Sequence, residues 1–333
     1  MTQNNDPALI ARKTDAGIAI ALEQITDADL PEADVTVDVT WSSLNYKDGL
    51  ALTGQGRILR TFPIVPGIDF AGTVSTSASP QFHPGDRVAL TGWGVGESWS
   101  GGFAQRARVK SEWLVKLPDA IPERHAMAIG TAGLTAMLSV MALQRHGIQQ
   151  SGAVLVTGAA GGVGSVAVRL LSRLGYHVTA MTGRMSEAPF LRALGAADVM
   201  NRADYAAQGK PLMTERWHGA VDVAGGAVLG NVIASTAYGG AVAMCGLAGG
   251  TDVPASVFPF ILRNVALLGI DSVTCPTALR TEAWQRLATE LTEADLADAV
   301  QEASLAALPA LAKTILAGSV RGRTVVNLRA PTS

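Results

Sequence analysis

The sequence predicts an α/β protein of two domains, one β-rich and the other a doubly wound domain in which parallel strands alternate with helices. The chain has 333 residues, a length typical of about two domains. Hydrophobic residues make up 48% of the chain and charged residues 16%, so both domains can bury sizeable cores. The pattern also changes near residue 126, from strand-like segments to alternating helices and strands.

The first 125 residues carry the β-rich pattern. Val35, Val37 and Val39 alternate with polar residues, which is typical of a strand with one buried face. Proline, glycine and aspartate punctuate the segments 65–74 and 84–90, which predicts further strands separated by turns. We therefore expect this part of the chain to be mostly strand.

The alternating pattern begins after residue 126. The predicted elements are a strand at 154–157, a helix at 164–174, a strand at 178–182, a helix near 187–195, and strands at 220–223 and 241–245. Such an alternation implies a parallel sheet with crossover helices. We expect segments 265–270 and 324–328 to return as strands to the first domain. The predicted domains are therefore 1–125 with 263–333, and 126–262.

A glycine-rich turn joins the first predicted strand of the second domain to its first helix. Residues 154–165 read VLVTGAAGGVGS, with Gly158, Gly161 and Gly164 in a Gly-x-x-Gly-x-x-Gly spacing that also includes Gly162 and Val163. Small residues let the backbone approach a pyrophosphate, whose charge then lies at the positive end of the helix. On spacing alone, a tight turn without a ligand is the alternative.

The second strand of this domain ends in Thr182-Gly183-Arg184. A site for NAD usually has an acidic residue about 20 residues after the glycines, to hold the ribose hydroxyls. Here an arginine occupies that region, and a guanidinium can donate two hydrogen bonds to a 2′-phosphate. The pattern therefore predicts NADPH as the cofactor; the alternative is an ordinary exposed loop arginine.

Composition and charge argue against several other classes of protein. The net charge of −2 and pI near 6.2 do not suggest nucleic-acid binding. Cys245 and Cys275 cannot form a disulfide framework or a four-cysteine zinc site. The N-terminal residues lack the pattern of a signal peptide, so we expect a cytoplasmic location. Residues 126–144 carry no charge, but their glycines and hydroxyl residues favour a buried helix over a membrane span.

Several motifs, taken together, resemble one enzyme superfamily. They are WSSLNYKDGLA at 41–51, PGIDFAGTV at 66–74, LTGWGVGE at 90–97, the glycine turn, GLAGG at 246–250 and FILRNV at 260–265. In this order they resemble the medium-chain dehydrogenase/reductase superfamily, and within it the zinc-free acrylyl-CoA reductase group (AcuI/YhdH type), which is also labelled quinone oxidoreductase-like. The resemblance implies a GroES-like catalytic domain, a Rossmann-like cofactor domain, an acyl-CoA substrate and a homodimer through the edge of the cofactor-domain sheet.

The sequence lacks the metal ligands of the zinc-dependent members. They have Gly-His-Glu where this chain has Gly67-Ile68-Asp69. The histidines form no close pair; they are His83, His125, His146, His177 and His218. We therefore predict no metal site. Without a Lewis-acid metal, reduction of an activated carbon–carbon double bond fits better than alcohol oxidation.

Tyr46, in the motif Asn45-Tyr46-Lys47-Asp48, is the candidate catalytic residue. The resemblance places this tyrosine at the cofactor, where its hydroxyl would hydrogen-bond an enolate or supply a proton. The alternative is that Tyr46 orients the nicotinamide ring and solvent supplies the proton.

Three polar residues complete the predicted cofactor site. Arg263 and Asn264 precede a predicted strand, and the alternative for them is to cap the end of an element. Arg323 belongs to a C-terminal motif of the family and is expected to reach the cofactor, the alternative being an exposed cation.

These inferences predict an enzyme that uses NADPH to reduce acrylyl-CoA to propanoyl-CoA, with hydride transfer to the β-carbon. One alternative is a reductase of quinones or α,β-unsaturated carbonyl compounds. A further alternative is a non-catalytic NADPH-binding protein.

Overall fold

The computed structural model of the protein describes residues 6–330. The chain divides into two compact units. Over the described residues, the first comprises 6–131, Ser272–Ala288 and 299–330, and the second comprises Ala132–Asp271 and Thr289–Asp298.

The secondary structure over the described residues is a mixture of strands, α-helices and short 3₁₀ turns. The strands are β1 (Asp6–Thr14), β2 (Gly17–Ile25), β3 (Val35–Leu44), β4 (Asp69–Ser77), β5 (Arg87–Thr91), β6 (Arg106–Val109), β7 (Val115–Lys116), β8 (Ala153–Val156), β9 (His177–Thr182), β10 (Asp198–Asn201), β11 (Trp217–Asp222), β12 (Thr236–Met244), β13 (Ala266–Gly269), β14 (Val300–Ala303) and β15 (Arg323–Asn327). The α-helices are α1 (Tyr46–Thr53), α2 (Glu123–His146), α3 (Gly162–Arg173), α4 (Ala188–Ala193), α5 (Gly226–Ala234), α6 (Phe258–Arg263), α7 (Thr277–Glu290) and α8 (Leu308–Leu316).

The first unit is built on a seven-stranded sheet. Its strands run in the order β14-β15-β3-β4-β5-β7, and β6 also pairs with β3. A separate antiparallel hairpin is formed by β1 and β2. The alternating valines of β3, Val35, Val37 and Val39, are fully buried in the core of this unit, as their spacing predicts. The predicted β-rich GroES-like domain is confirmed.

The second unit is built on a six-stranded sheet in the order β10-β9-β8-β11-β12-β13. Every neighbouring pair in this sheet is parallel. The chain moves outward from β8 through β9 to β10 and then returns to β11 on the other side of β8. This reversal is the topological switch point of a doubly wound sheet, next to which ligands bind. The predicted Rossmann-like fold is confirmed.

Three parts of the chain belong to a different unit from the one that the sequence suggests. Residues 126–131, at the start of the predicted second domain, belong to the first unit. We expected segment 265–270 to return to the first domain, and this is wrong, because β13 pairs in parallel with β12 and ends the second sheet. Thr289–Asp298 also belongs to the second unit, where Asp295 forms ion pairs with Arg169 and Arg173 of α3. Segment 324–328 does return to the first unit, since β15 pairs with β3.

The long uncharged segment forms α2. This helix is long and apolar enough to cross a membrane by length and composition, but 89% of its most apolar window is buried inside the fold. It is the buried helix that the sequence predicts. Gly130, with φ 50° and ψ −159°, interrupts its helical geometry.

Candidate functional site

The glycine-rich turn lies at the carboxyl end of β8, next to the switch point of the parallel sheet. Gly161 is the N-cap of α3, which begins at Gly162. The first N–H groups of a helix have no partner within it, so those of Gly162, Val163 and Gly164 are suited to bind an anion.

Close packing explains the glycine spacing in this turn. Gly158 has a φ of 57°, which favours glycine. A methyl group at Gly164 would lie 2.3 Å from the carbonyl oxygen of Gly158, so a side chain there would force the helix away from the turn. The N–H of Gly161 donates to the same carbonyl at 3.0 Å. The residues therefore fit the pyrophosphate cradle that their spacing predicts.

Thr182, Gly183 and Arg184 follow at the carboxyl end of β9, the strand next to β8. The hydroxyl of Thr182 accepts a hydrogen bond of 3.1 Å from the N–H of Arg184, which fixes the turn after the strand. The Arg184 side chain is about one-third exposed, and its Nη1 lies 3.9 Å from the carboxylate of Glu187. The side chain can therefore still approach a ligand.

Arg202 is a second arginine at this edge, which the sequence analysis missed. β10 pairs in parallel with β9, with Asn201 opposite Thr182, so the residues that follow the two strands are neighbours. A methyl group at Gly183 would lie 3.0 Å from Nη2 of Arg202. Glycine at position 183 thus makes room for the guanidinium, and two arginines flank one short turn.

Loops after β11 and β12 complete the carboxyl edge. Asp222 is fully buried, and burial raises its pKa. Its carboxylate accepts hydrogen bonds from Thr157 Oγ1 at 2.7 Å and from the N–H of Gly225 at 2.8 Å, which fixes the loop after β11. A methyl group at Gly225 would lie 3.2 Å from the Cα of Leu247, in the loop after β12. Leu247 is 57% exposed and offers an apolar contact at this edge.

Tyr46 belongs to the first unit, where it is the first residue of α1. The residue is 41% exposed, so part of it is accessible to a ligand. The next residue, Lys47, pairs with Glu97 at 2.8 Å and connects α1 to the 92–97 loop. The N-terminus of the helix that carries Tyr46 is therefore held in place from one side.

A buried carboxylate, that of Asp48, also fixes the N-terminus of α1 through hydrogen bonds. Asp48 accepts hydrogen bonds from the N–H of Asn45 at 2.8 Å and from the N–H of Ile68 at 3.0 Å. Burial, together with the nearby carboxylate of Asp69, raises the pKa of Asp48 to about 7, against the effect of these two hydrogen bonds. Asp48 can therefore change its charge near neutral pH.

Arg263 and Asn264 have structural roles at the end of α6. The guanidinium of Arg263 donates to the carbonyl of Met213 at 2.7 Å and to that of Ala234 at 3.0 Å. Asn264, with φ 51°, is the left-handed C-cap of α6. Arg263 therefore connects backbone segments through hydrogen bonds, and Asn264 caps a helix, which is the alternative noted from the sequence. We do not propose them as cofactor ligands.

The side chain of Arg323 also makes its hydrogen bonds within the protein. Its side chain is 2% exposed, and its guanidinium donates to the carbonyls of Met127 and Ala128, to Ser43 Oγ and to Asn45 Oδ1. A cation so buried and so fully bonded does not reach a ligand. The expectation that Arg323 contacts the cofactor is corrected accordingly.

Across residues 6–330 no group of three or more His, Cys, Asp or Glu side chains is placed to hold a metal ion. Ile68 occupies the position of the zinc-ligating histidine and is buried. The carboxylate of Asp69 instead accepts hydrogen bonds from Ser43, Asn45 and Thr131.

Comparison with known proteins gives matches over nearly the whole chain. Residues 31–119 match the family described as alcohol dehydrogenase GroES-like domain, and residues 162–293 match the family described as zinc-binding dehydrogenase. The chain is 52% identical to the probable acrylyl-CoA reductase AcuI of Escherichia coli, over 96% of this chain and 99% of that protein. It is 51% identical to the acrylyl-CoA reductase AcuI of Ruegeria pomeroyi, over 93% of this chain and 94% of that protein.

A solved structure gives a similar result. The yhdH oxidoreductase from Salmonella enterica, in complex with NADP, has a TM-score of 0.95 to this chain. Its sequence identity is 53%, and the match covers 96% of this chain and 99% of that one.

Proposed function

The chain belongs to the medium-chain dehydrogenase/reductase superfamily, in the group of the acrylyl-CoA reductases, and we propose that it reduces acrylyl-CoA to propanoyl-CoA with NADPH. The similarity to proteins named acrylyl-CoA reductase, which extends over nearly the full length of both chains, carries this proposal. Such a reaction adds a hydride to the β-carbon and a proton to the α-carbon of the acrylyl group.

The carboxyl edge of the second sheet supports NADPH as the cofactor. The residues that would hold it are Gly158, Gly161, Gly162, Val163, Gly164, Thr182, Gly183 and Arg184, to which we add Arg202 and Leu247. The glycine turn would hold the pyrophosphate, and the two arginines beside Gly183 would bind the 2′-phosphate. The Arg184 side chain is about one-third exposed and Arg202 is exposed, so both cations are accessible to a phosphate group. This charge pattern favours NADPH over NADH.

Tyr46 would act on the acyl thioester. NADPH, when bound, supplies the hydride. As the hydride reaches the β-carbon, the electrons of the double bond move toward the thioester carbonyl, and negative charge develops on its oxygen. The hydroxyl of Tyr46 would donate a hydrogen bond to that oxygen or deliver the proton to the α-carbon. Its exposure and its fixed place at the start of α1 support this role.

We further propose a homodimer formed through the edge of the cofactor-domain sheet. The apolar side chains of Val257, Phe258, Ile261 and Leu262 are between 45% and 69% exposed. Their spacing places them on one side of α6, immediately before the edge strand β13. An exposed apolar helix face beside an open sheet edge is suited to pair with a second copy of the chain.

We propose a cytoplasmic location as well. Neither Cys245 nor Cys275 takes part in a disulfide. Burial and the neighbouring Asp222 raise the pKa of the Cys245 thiol to about 12, so it is unreactive. A protein that uses NADPH and whose cysteines form no disulfide is typical of a reducing compartment.

The test of the function compares catalytic efficiencies. Binding of the remote pantetheine and nucleotide arm can orient the double bond, so substrates without it should lose turnover as well as affinity. We expect kcat/KM for acrylyl-CoA to exceed that for acrylate, acrolein and small quinones by at least about a hundredfold, which is roughly 2.7 kcal/mol of transition-state binding. Comparable efficiencies for acrylyl-CoA and a quinone would support the quinone reductase instead. NADPH binding without turnover of any of these substrates would support a non-catalytic protein.

A further inference from the structure

The interruption of α2 at Gly130 leaves backbone groups that two charged side chains satisfy. The N–H of Thr131, just after the interruption, donates to Asp69 at 2.8 Å. The carbonyls of Met127 and Ala128, just before it, accept from Arg323 at 3.3 Å and 2.9 Å. Broken helices need such partners for their freed N–H and C=O groups.

Glycine is required at this interruption. A methyl group at Gly130 would lie 2.6 Å from both Arg323 Nη2 and Asp69 Oδ2. The positive φ of Gly130 also disfavours any other residue. The break in the helix and the two charges are therefore one structural arrangement.

The same two charged side chains fix the residue that precedes Tyr46. Asn45 donates from Nδ2 to Asp69 Oδ2 at 2.9 Å and accepts at Oδ1 from Arg323 Nη1 at 3.0 Å. Ser43 makes a parallel bridge, donating to Asp69 at 2.7 Å and accepting from Arg323 at 2.9 Å. The carboxamide of Asn45 is thus oriented at both ends, with its nitrogen toward the anion and its oxygen toward the cation.

Burial of the two charges suggests a role other than stability. Asp69 is fully buried, Arg323 is 2% exposed, and their charged groups approach no closer than 4.0 Å. Buried charges are costly, and apolar residues of similar size often stabilise a fold as well or better. The two charges instead fix the positions of the side chains that hydrogen-bond to them. Among these side chains, Asn45 is the one that directly precedes the candidate catalytic tyrosine.

We propose that Asp69, Arg323 and Asn45 form a buried network that positions Tyr46 for reduction of the substrate. The inference rests on the proposed function, because it needs a reaction in which the Tyr46 hydroxyl takes part. Asn45 is the N-cap of α1, and Tyr46 is the first residue of that helix. A shift of the Asn45 side chain would therefore move the start of α1 and the tyrosine with it. All three are positioning residues, since none of them would touch the substrate.

The substitution that tests this is Asn45→Ser in the full-length enzyme. Serine caps a helix as well as asparagine does, so α1 still forms with a capped N-terminus. Both bonds to the charged pair, which fix where that N-terminus and Tyr46 lie, are lost. Replacing Asp69 or Arg323 would leave the opposite charge buried without its partner and would disrupt the fold. We expect Asn45→Ser to lower kcat about ten- to a hundredfold, with unchanged affinity for NADPH, because misplacement of a reacting group by about 1 Å has effects of that size.

A double-mutant cycle with Tyr46→Phe separates positioning from a general loss of structure. If Asn45 acts through the Tyr46 hydroxyl, Asn45→Ser should have little further effect on kcat once that hydroxyl has been removed. An equal loss in both backgrounds overturns the inference, as does wild-type turnover of Asn45→Ser. Wild-type turnover of Tyr46→Phe also overturns it, because there is then no hydroxyl to position.

Asn231→Ser is the matched control. Asn231 is 4% exposed, against 7% for Asn45, and its side chain also joins two groups, donating to the carbonyls of Tyr205 and Ala207. Its replacement should lower the melting temperature without lowering kcat. A wild-type enzyme that does not reduce acrylyl-CoA would contradict the proposed function, whereas an active wild type with no coupling between positions 45 and 46 would contradict the network alone.

Discussion

The carboxylate of Asp48 accepts a hydrogen bond of 2.8 Å from the backbone N–H of Asn45, which ties the first turn of α1 to the residue that caps it. This carboxylate is buried near that of Asp69, and its pKa of about 7 differs from the ordinary value of 3.8. In the unfolded chain Asp48 loses its proton near the ordinary value, whereas in the folded protein it keeps the proton up to about pH 7. The charge of Asp48 therefore couples folding to pH.

We predict that Asp48 makes the protein less stable as the pH rises from about 4 to about 7. In this range the folded state binds a proton that the unfolded state has released, so the free energy of unfolding falls with increasing pH. A pKa difference of about three units corresponds to at most roughly 4 kcal/mol over the whole range. Urea denaturation between pH 4.5 and 8 should show Asp48→Asn gaining stability relative to the wild type as the pH rises. A difference that does not depend on pH would contradict this prediction.

Asp295 provides the control with the opposite sign. Burial opposes its ionisation, but hydrogen bonds from Thr292, Arg169 and Arg173 outweigh that effect and lower its pKa. Its contribution to stability is therefore complete above the ordinary pKa of an aspartate and is lost only at lower pH. Asp295→Asn should differ from the wild type by a constant amount between pH 5 and 8.

Tyr46→Phe tests the chemical role of the hydroxyl, because it removes one oxygen and keeps the ring. If the hydroxyl stabilises the developing negative charge or supplies the proton, kcat should fall by about 10²-fold or more. Affinity for NADPH, measured by fluorescence titration, should change little. Tyr238, which is 71% exposed on the second unit, offers Tyr238→Phe as the control with unchanged turnover. Near-normal kcat for Tyr46→Phe would mean that Tyr46 orients the cofactor and that solvent supplies the proton.

The second sheet shows what hydrophobic patterning can and cannot predict. Arg184 could be predicted because it closely follows the predicted strand 178–182, about 20 residues after the glycine turn, where a dinucleotide fold holds the ribose. Arg202 was missed because β10 has only four residues, none of them fully buried. Only the pairing of Asn201 with Thr182 makes the two arginines neighbours, and strand order cannot be read from a local pattern.

The role of Arg323 could not be predicted for a different reason. Its neighbours in sequence suggest an exposed turn before a strand, but its partner Asn45 lies 278 residues away in the chain. The motif indicated correctly that an arginine belongs at this position. Which groups it bonds depends on how β15, β3 and the break in α2 come together, and that is a property of the folded unit.

The exposed face of α6 gives a prediction for assembly. If this face and the edge of β13 join two copies of the chain, Leu262→Glu should place a charge in the interface and shift the protein toward monomer. Sedimentation velocity at several protein concentrations measures this shift. Leu22→Glu is the control, because Leu22 is also an exposed leucine, at 40%, but lies on β2 of the first unit. A monomeric wild type, or a variant that dimerises as the wild type does, would contradict the proposed interface.

The arginine pair at the turn after β9 should determine the choice of cofactor. Arg184→Ala removes a charge-assisted contact to a 2′-phosphate, for which a loss of about 1.5–3 kcal/mol is reasonable, or roughly ten- to a hundredfold in affinity. Arg202→Ala should also lower the affinity for NADPH, but by a smaller factor, because the Arg202 side chain is more exposed than that of Arg184. Affinity for NADH should change less than about twofold in both variants, since NADH lacks the phosphate that the charges would bind.

A third variant and a salt titration distinguish a specific site from general attraction. Arg192→Ala is the control, because Arg192 lies on α4 of the same unit and its guanidinium donates to the carbonyl of Ala197. It should leave the affinities for NADPH and NADH unchanged. Either alanine variant should also gain less thermal stability from added NADPH than the wild type does. Equal losses of affinity for NADPH and NADH would mean that the arginines support the fold of the turn and do not bind the 2′-phosphate. Arg192→Ala and Arg184→Ala could instead lose equal affinity for NADPH, with both losses disappearing at high salt. In that case the arginines attract the cofactor only through the general positive charge of this surface, and do not form a specific site.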